Sequence, residues 1–245
     1  MKINKLKYII VLFFIGCNSF IEKDSPLDVE FYIKDGWLAF SSNFYQQAIN
    51  HFNAAIETSE NNSIYHFLAY IGKGWTSMYN AKTKNDSINI QNNLISSSGI
   101  YFNNALEILY DIDAELYNVN QLMDLYSGIT LQLSYRAKQI AAHNINWETS
   151  NLKLRTEIDS IYRKSIHYSF KIDENYFFNY DSSITYETII LQRIENYLII
   201  GEIDSAIYHY TNYGFDCNGY SIEYSTIIEC LCIALNNGDC PFENR

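Results

Sequence analysis

Proline occurs only at Pro26 and Pro241 of this 245-residue chain. Average usage would give about a dozen. Proline removes a backbone donor and clashes with the preceding turn, so a stretch of more than 200 residues without it allows long helices. Glycine, the other common breaker, is held to ten residues. No segment shows the sustained apolar–polar alternation of a half-buried strand. Apolar residues recur instead at steps of three and four. Val119, Leu122, Tyr126, Ile129, Leu133, Ala137 and Ile140 mark one such face, and Leu154, Ile158 and Ile161 the next. The pattern predicts an all-α chain.

The helical pattern also repeats. Gly36, Trp37 and Phe40 are followed by Ala48, Phe52 and Ala55. Gly74 and Trp75 recur 38 residues after Gly36 and Trp37. Ser98, Phe102 and Ala105 then repeat the second spacing, and Gly201, Ala206 and Tyr210 restore part of it. Small residues are suited to close helix approach, and large ones to filling the gap toward the next helix pair. This small-x3-large-x2-small pattern resembles the tetratricopeptide (TPR) repeat, with departures at Asp35, Glu60 and Tyr213. The resemblance implies a TPR-like helical-hairpin solenoid, a right-handed superhelix of antiparallel helix pairs. Units fall at about 29–62, 63–111 and 184–213. Residues 81–91 read as a polar loop, 115–172 as long helices without the signature, and 221–235 as a capping helix.

The first 17 residues read as an address. Lys2, Lys5 and Lys7 precede an apolar run at 8–15, which is too short to span a bilayer. Phe14-Ile15-Gly16-Cys17 resembles the lipobox of bacterial lipoproteins. That implies a signal peptide at 1–16 and a lipidated Cys17 carrying fatty acyl chains such as palmitate. A tether then spans 17–27, and the repeat domain 28–245. Asn18 after the cysteine, where Asp is absent, points to the outer membrane, on its periplasmic or surface side. Two or more acyl chains anchor a protein stably.

Loss of three lysines with the leader takes the formal net charge from −11 to about −14. That argues against nucleic acid and anionic headgroups as partners, since both are gripped by Lys and Arg. Four cysteines remain: Cys217, Cys230, Cys232 and Cys240. Cys230 and Cys232, two apart on a helix, face different ways and do not suit each other. Either can pair with Cys217 or Cys240 in an oxidising compartment. A metal site is disfavoured, because C-x-C has no histidine near it.

Residues with chemistry do not converge. Glycine-rich phosphate loops, G-x-S-x-G and H-E-x-x-H are all absent. Asp173, Glu174, Asn175 and Asp181 lack EF-hand spacing. Asp111, Asp113 and Glu115 suit a helix N-terminus. The reading is of a non-enzyme without cofactor or metal. Lys34, Trp37, Ser41, Trp75 and Tyr79 are the candidate lining of a concave groove that grips a protein or peptide segment. The two indoles are better suited to packing between hairpins, because aromatic residues at helical spacing are more often core. The expected function is a membrane-anchored interaction module at the bacterial envelope. The alternative is a lipoprotein that captures a glycan or peptide for an outer-membrane transporter.

Overall fold

The computed structural model of the chain describes residues 26–84, 87–143 and 152–215, with 217, 219, 221–223 and 225–235 beyond them. The expected signal peptide, Cys17, nearly all of the tether and Cys240 lie outside the described residues. The described residues form nine helices. They are α1 (Pro26–Ser41), α2 (Tyr45–Thr58), α3 (Ile64–Lys82), α4 (Ile88–Leu109), α5 (Val119–His143), α6 (Leu152–Ser169), α7 (Tyr186–Ile199), α8 (Ile203–Tyr213) and α9 (Ile227–Leu235). Among these residues the only β pairing is one antiparallel bridge, Phe177 to Thr185. None of these helices is long and apolar enough to cross a membrane.

Local chemistry sets the helix ends. Ser63 accepts from the His66 backbone at the start of α3. At the start of α5, Asn118 Oδ1 accepts from the Gln121 N–H and Gln121 Oε1 accepts from the Asn118 N–H, both at 2.9 Å. This reciprocal cap satisfies two otherwise orphaned donors, so Asn118 caps α5 rather than the acidic run just before it. Thr185 and Thr188 form an equivalent box at α7. Gly214, at φ 81°, ends α8 in the left-handed conformation that glycine adopts without strain.

Each helix from α1 to α8 packs against the next one in the chain. Short connections make the α1–α2, α2–α3 and α7–α8 neighbours antiparallel. The odd-numbered helices also touch in succession, α1 on α3, α3 on α5, α5 on α7 and α7 on α9. Even-numbered helices pack on odd ones. Two aromatic wedges account for this layering. A Cβ added at Gly36 of α1 or at Gly72 of α3 would collide with the Phe52 ring of α2. One at Gly74 of α3 or Gly128 of α5 would collide with the Phe102 ring of α4. Each ring is thus driven between two successive odd helices, and glycine makes room on both sides. Phe52 and Phe102 are fully buried.

The α5–α7 step uses a different device. In α6, Ile158, Tyr162 and Ser165 keep the repeat spacing and are buried, but a bulky residue stands first. Ser165 Oγ donates to the Thr130 carbonyl of α5 and accepts from Asn196 Nδ2 of α7. Ser134 Oγ donates to Asn196 Oδ1. A polar bridge therefore links α5, α6 and α7. The next step is aromatic again: Tyr210 of α8, fully buried, donates from its hydroxyl to the Cys230 carbonyl of α9.

Two expectations on boundaries change. α3 continues through Lys82 and α4 begins at Ile88, so the polar connection is 83–87 rather than 81–91. The polar residues that suggested a loop form the first turns of α4, before its buried face begins at Ile95. The C-terminal helix is confined to Ile227–Leu235. Before it, Thr226 Oγ1 donates to the Ser221 carbonyl and accepts from the Glu223 N–H, closing a turn. Among the cysteines, Cys217 is bonded to Cys230. Cys232 is also in a disulfide.

Candidate functional site

α1 and α3 bring Trp37, Trp75 and Tyr79 to one side of the odd-helix layer, and the chain's own segment between α6 and α7 lies over them. Phe178 stacks on Trp75 with ring centroids 4.2 Å apart and planes 19° apart. Tyr180 stacks on Trp37 at 4.0 Å and 2°. The Tyr79 hydroxyl donates to Asp181 Oδ2 at 2.5 Å. The segment is closed on itself by two backbone bonds, Phe178 N–H to the Ile184 carbonyl and Tyr186 N–H to the Tyr176 carbonyl. Its turns are built by carboxylates. Asp173 Oδ1 accepts from the backbone and side chain of Asn175, and Asp181 Oδ1 from the backbone and hydroxyl of Ser183.

Beneath the segment lies a polar triad. Tyr176 donates to Asp124 Oδ1 at 3.1 Å, and its hydroxyl is 2.6 Å from Ser127 Oγ. The indole Nε1 of Trp75 donates to the Asp124 carbonyl at 2.9 Å. Asp124 is 7% exposed, and burial pushes its carboxyl up to about 7, against a smaller opposing effect from the Tyr176 hydroxyl. Burial likewise raises Tyr176 well above the ordinary tyrosine value, and the adjacent Asp124 adds to this. Burial also opposes ionisation of Asp181. The Tyr79 and Ser183 donors and the Lys82 charge outweigh it and hold that carboxyl below its ordinary value. The ammonium of Lys82 lies 4.5 Å over the Tyr79 ring.

The expected groove residues therefore separate. Trp75 is wholly buried and Trp37 is 6% exposed. Neither indole offers a face to a partner while Phe178 and Tyr180 cover them. Tyr79 is half-buried and tied to Asp181. Lys34 is exposed on α1, at the rim of a recess of about 450 Å³ that it shares with Phe31, Trp37, Leu68 and Tyr180. Ser41 ends α1 and is exposed.

Sequence reading missed the covering segment. Its signal was present as four aromatic residues, Tyr176, Phe177, Phe178 and Tyr180, between two helical periods. Asp124 was a second signal, as a charge among the buried residues of α5. The chain finds no match among family models, curated proteins or solved structures.

Proposed function

We propose that this chain is an exported helical-repeat protein, tethered to a bacterial envelope membrane through lipid on Cys17, that acts as a protein-interaction module. The observation that carries this reading is the packing of Phe52 and Phe102 between glycines of successive odd helices. That packing supports a right-handed stack of TPR-like hairpins, an architecture whose exposed surfaces suit extended partners. The basic start, apolar run and Gly16-Cys17 support export and anchoring. The Cys217–Cys230 disulfide fits an oxidising compartment.

With Trp37 and Trp75 covered, docking moves to the rim of α1. Phe31 and Leu38 are large apolar side chains left exposed there, and Lys34 stands between them on the same helix. Spacings of three and four put Phe31, Lys34 and Leu38 on one stripe. An apolar or aromatic partner segment fits that stripe.

A photo-crosslinking amino acid at position 34, installed in the producing cells, tests this. The expected result is a discrete crosslinked species that Phe31→Asp abolishes and Ile90→Asp on α4 leaves intact. No discrete species, or one indifferent to Phe31→Asp, would refute docking on α1. Acyl labelling that persists in Cys17→Ser would refute the anchor.

A further inference from the structure

A second recess lies between α7, α8 and the turn at 174–175. It holds about 520 Å³, and its lining includes Glu174, Asn175, Tyr186, Arg193, His209 and Asn212. Along α7, Tyr186, Ile190, Arg193 and Tyr197 step by four, three and four, so they share one face. An arginine thus interrupts an apolar and aromatic stripe. Arg193 is 3% exposed. Its Nε donates to Ser169 Oγ at 2.8 Å and its Nη2 to the Ser169 carbonyl at 2.7 Å. The guanidinium lies 3.8 Å over the Phe170 ring.

Those contacts fix the plane of the guanidinium. Tyr186 is a further side-chain hydrogen-bond partner, and Tyr186 and Tyr197 partly offset the burial of the charge, but none of these groups is a carboxylate. The ion pairs among the described residues are Lys138–Glu195 and Arg163–Glu202, and Arg193 belongs to neither. Burial still holds Arg193 below the ordinary arginine value, as expected of a cation taken from water with hydrogen bonds but no carboxylate beside it. A chain of net charge −11 has carboxylates to supply, yet none of those described lies within ion-pair distance of Arg193.

The surroundings fit an oxyanion. His209 stacks flat on Tyr197, with centroids 5.4 Å and planes 11° apart. Burial, and then the Arg193 charge, hold His209 below the ordinary histidine value, so at pH 7 its ring is neutral and carries one N–H donor. Asn175 and Asn212 bring amide donors at the exposed rim. Glu174 is exposed and lines the same recess. It repels a bare anion but accepts from a hydroxyl or pairs with an ammonium.

We infer that this recess binds a small molecule carrying a carboxylate beside a hydroxyl or ammonium group, the carboxylate on Arg193 and the neighbouring donor on Glu174. Sugar acids and amino acids share that chemistry. The site is independent of partner docking on α1.

The test is titration of the purified full chain with glucuronate, alanine, glucose and inorganic phosphate, read by NMR on the Arg193 Nε–H and the His209 ring. Glucuronate or alanine shifts both signals at millimolar concentration. Glucose and phosphate require about tenfold more. A response to glucuronate alone assigns a sugar acid, and to alanine alone an amino acid. Glu174→Gln weakens alanine about tenfold and glucuronate less. Arg193→Lys, which loses the planar fork, weakens either about tenfold. If circular dichroism shows Arg193→Lys to be unfolded, the rim variants His209→Ala and Asn212→Ala carry the test, each weakening binding about threefold. Three results overturn the inference: no shift with either carboxylate by about 50 mM, glucose or phosphate as effective as glucuronate, or unweakened binding in the folded variants.

Discussion

Asp124 gives the clearest quantitative test of how the covering segment is held. Its carboxyl is buried, receives the Tyr176 hydroxyl and has no cationic partner among the described residues. Burial moves its pKa from the ordinary 3.8 to about 7. A folded-state value above the unfolded one means that the folded chain binds more protons between pH 4 and 7. Stability from this group is therefore greatest below about pH 4, and it is lost as pH rises through 7. A rise of this size corresponds to an upper bound of about 4 kcal/mol. Asp124→Asn keeps an oxygen that accepts from Tyr176 and cannot ionise. The variant should lie within about 1 kcal/mol of the wild type near pH 4.5 and exceed it by up to about 4 kcal/mol at pH 8, with the gap levelling above pH 8. Urea unfolding at four pH values measures this directly. His66 and His209 are lowered by burial and change stability in the opposite sense near pH 6, but both proteins share them, so the difference cancels their effect. Parallel stability curves for the two proteins from pH 4.5 to 8 would refute the buried-carboxylate argument.

Three other predictions follow from the packing. Gly72→Ala drives a methyl into the Phe52 ring; overpacking of about 1–3 kcal/mol outweighs the gain in helix propensity of about 1 kcal/mol. Adding Phe52→Leu should recover part of the loss in urea unfolding, and no recovery would refute the wedge. Phe178→Ala removes the ring stacked on Trp75 and should cost about 3–5 kcal/mol. It should also increase acrylamide quenching of tryptophan fluorescence, whereas unchanged quenching would show that Phe178 does not cover Trp75. Cys230→Ser opens a disulfide with a sequence separation of 13 and should cost about 3 kcal/mol, measured by thermal unfolding without reductant.

The helical class was legible because it rests on local rules: absent proline, a 3.6-residue period and spaced small residues. Phe52 and Phe102 were legible as large residues spaced from small ones, and both sit between glycines of neighbouring helices. Tyr162 and Ser165 were not legible as part of the same spacing. Ile158 replaces the small residue that marks the motif, and hydrogen bonds to Thr130 and Asn196 complete the contact. The start of α4 was misread because polarity marks solvent exposure in a helix as well as in a loop. The covering of Trp37 and Trp75 lay beyond the sequence pattern. It joins residues about 100 or more positions apart, Trp75 to Phe178 and Trp37 to Tyr180, and no periodicity encodes such a pairing. Arg193 was passed over for a related reason: its isolation from carboxylates is a fact of the tertiary arrangement.

The layered helix stack is tested most directly by nuclear Overhauser contacts from the rings of Phe52 and Phe102. The packing predicts that the Phe52 ring contacts the α-protons of both Gly36 and Gly72, and the Phe102 ring those of both Gly74 and Gly128. Rings that each see only one of their two glycines would contradict the account.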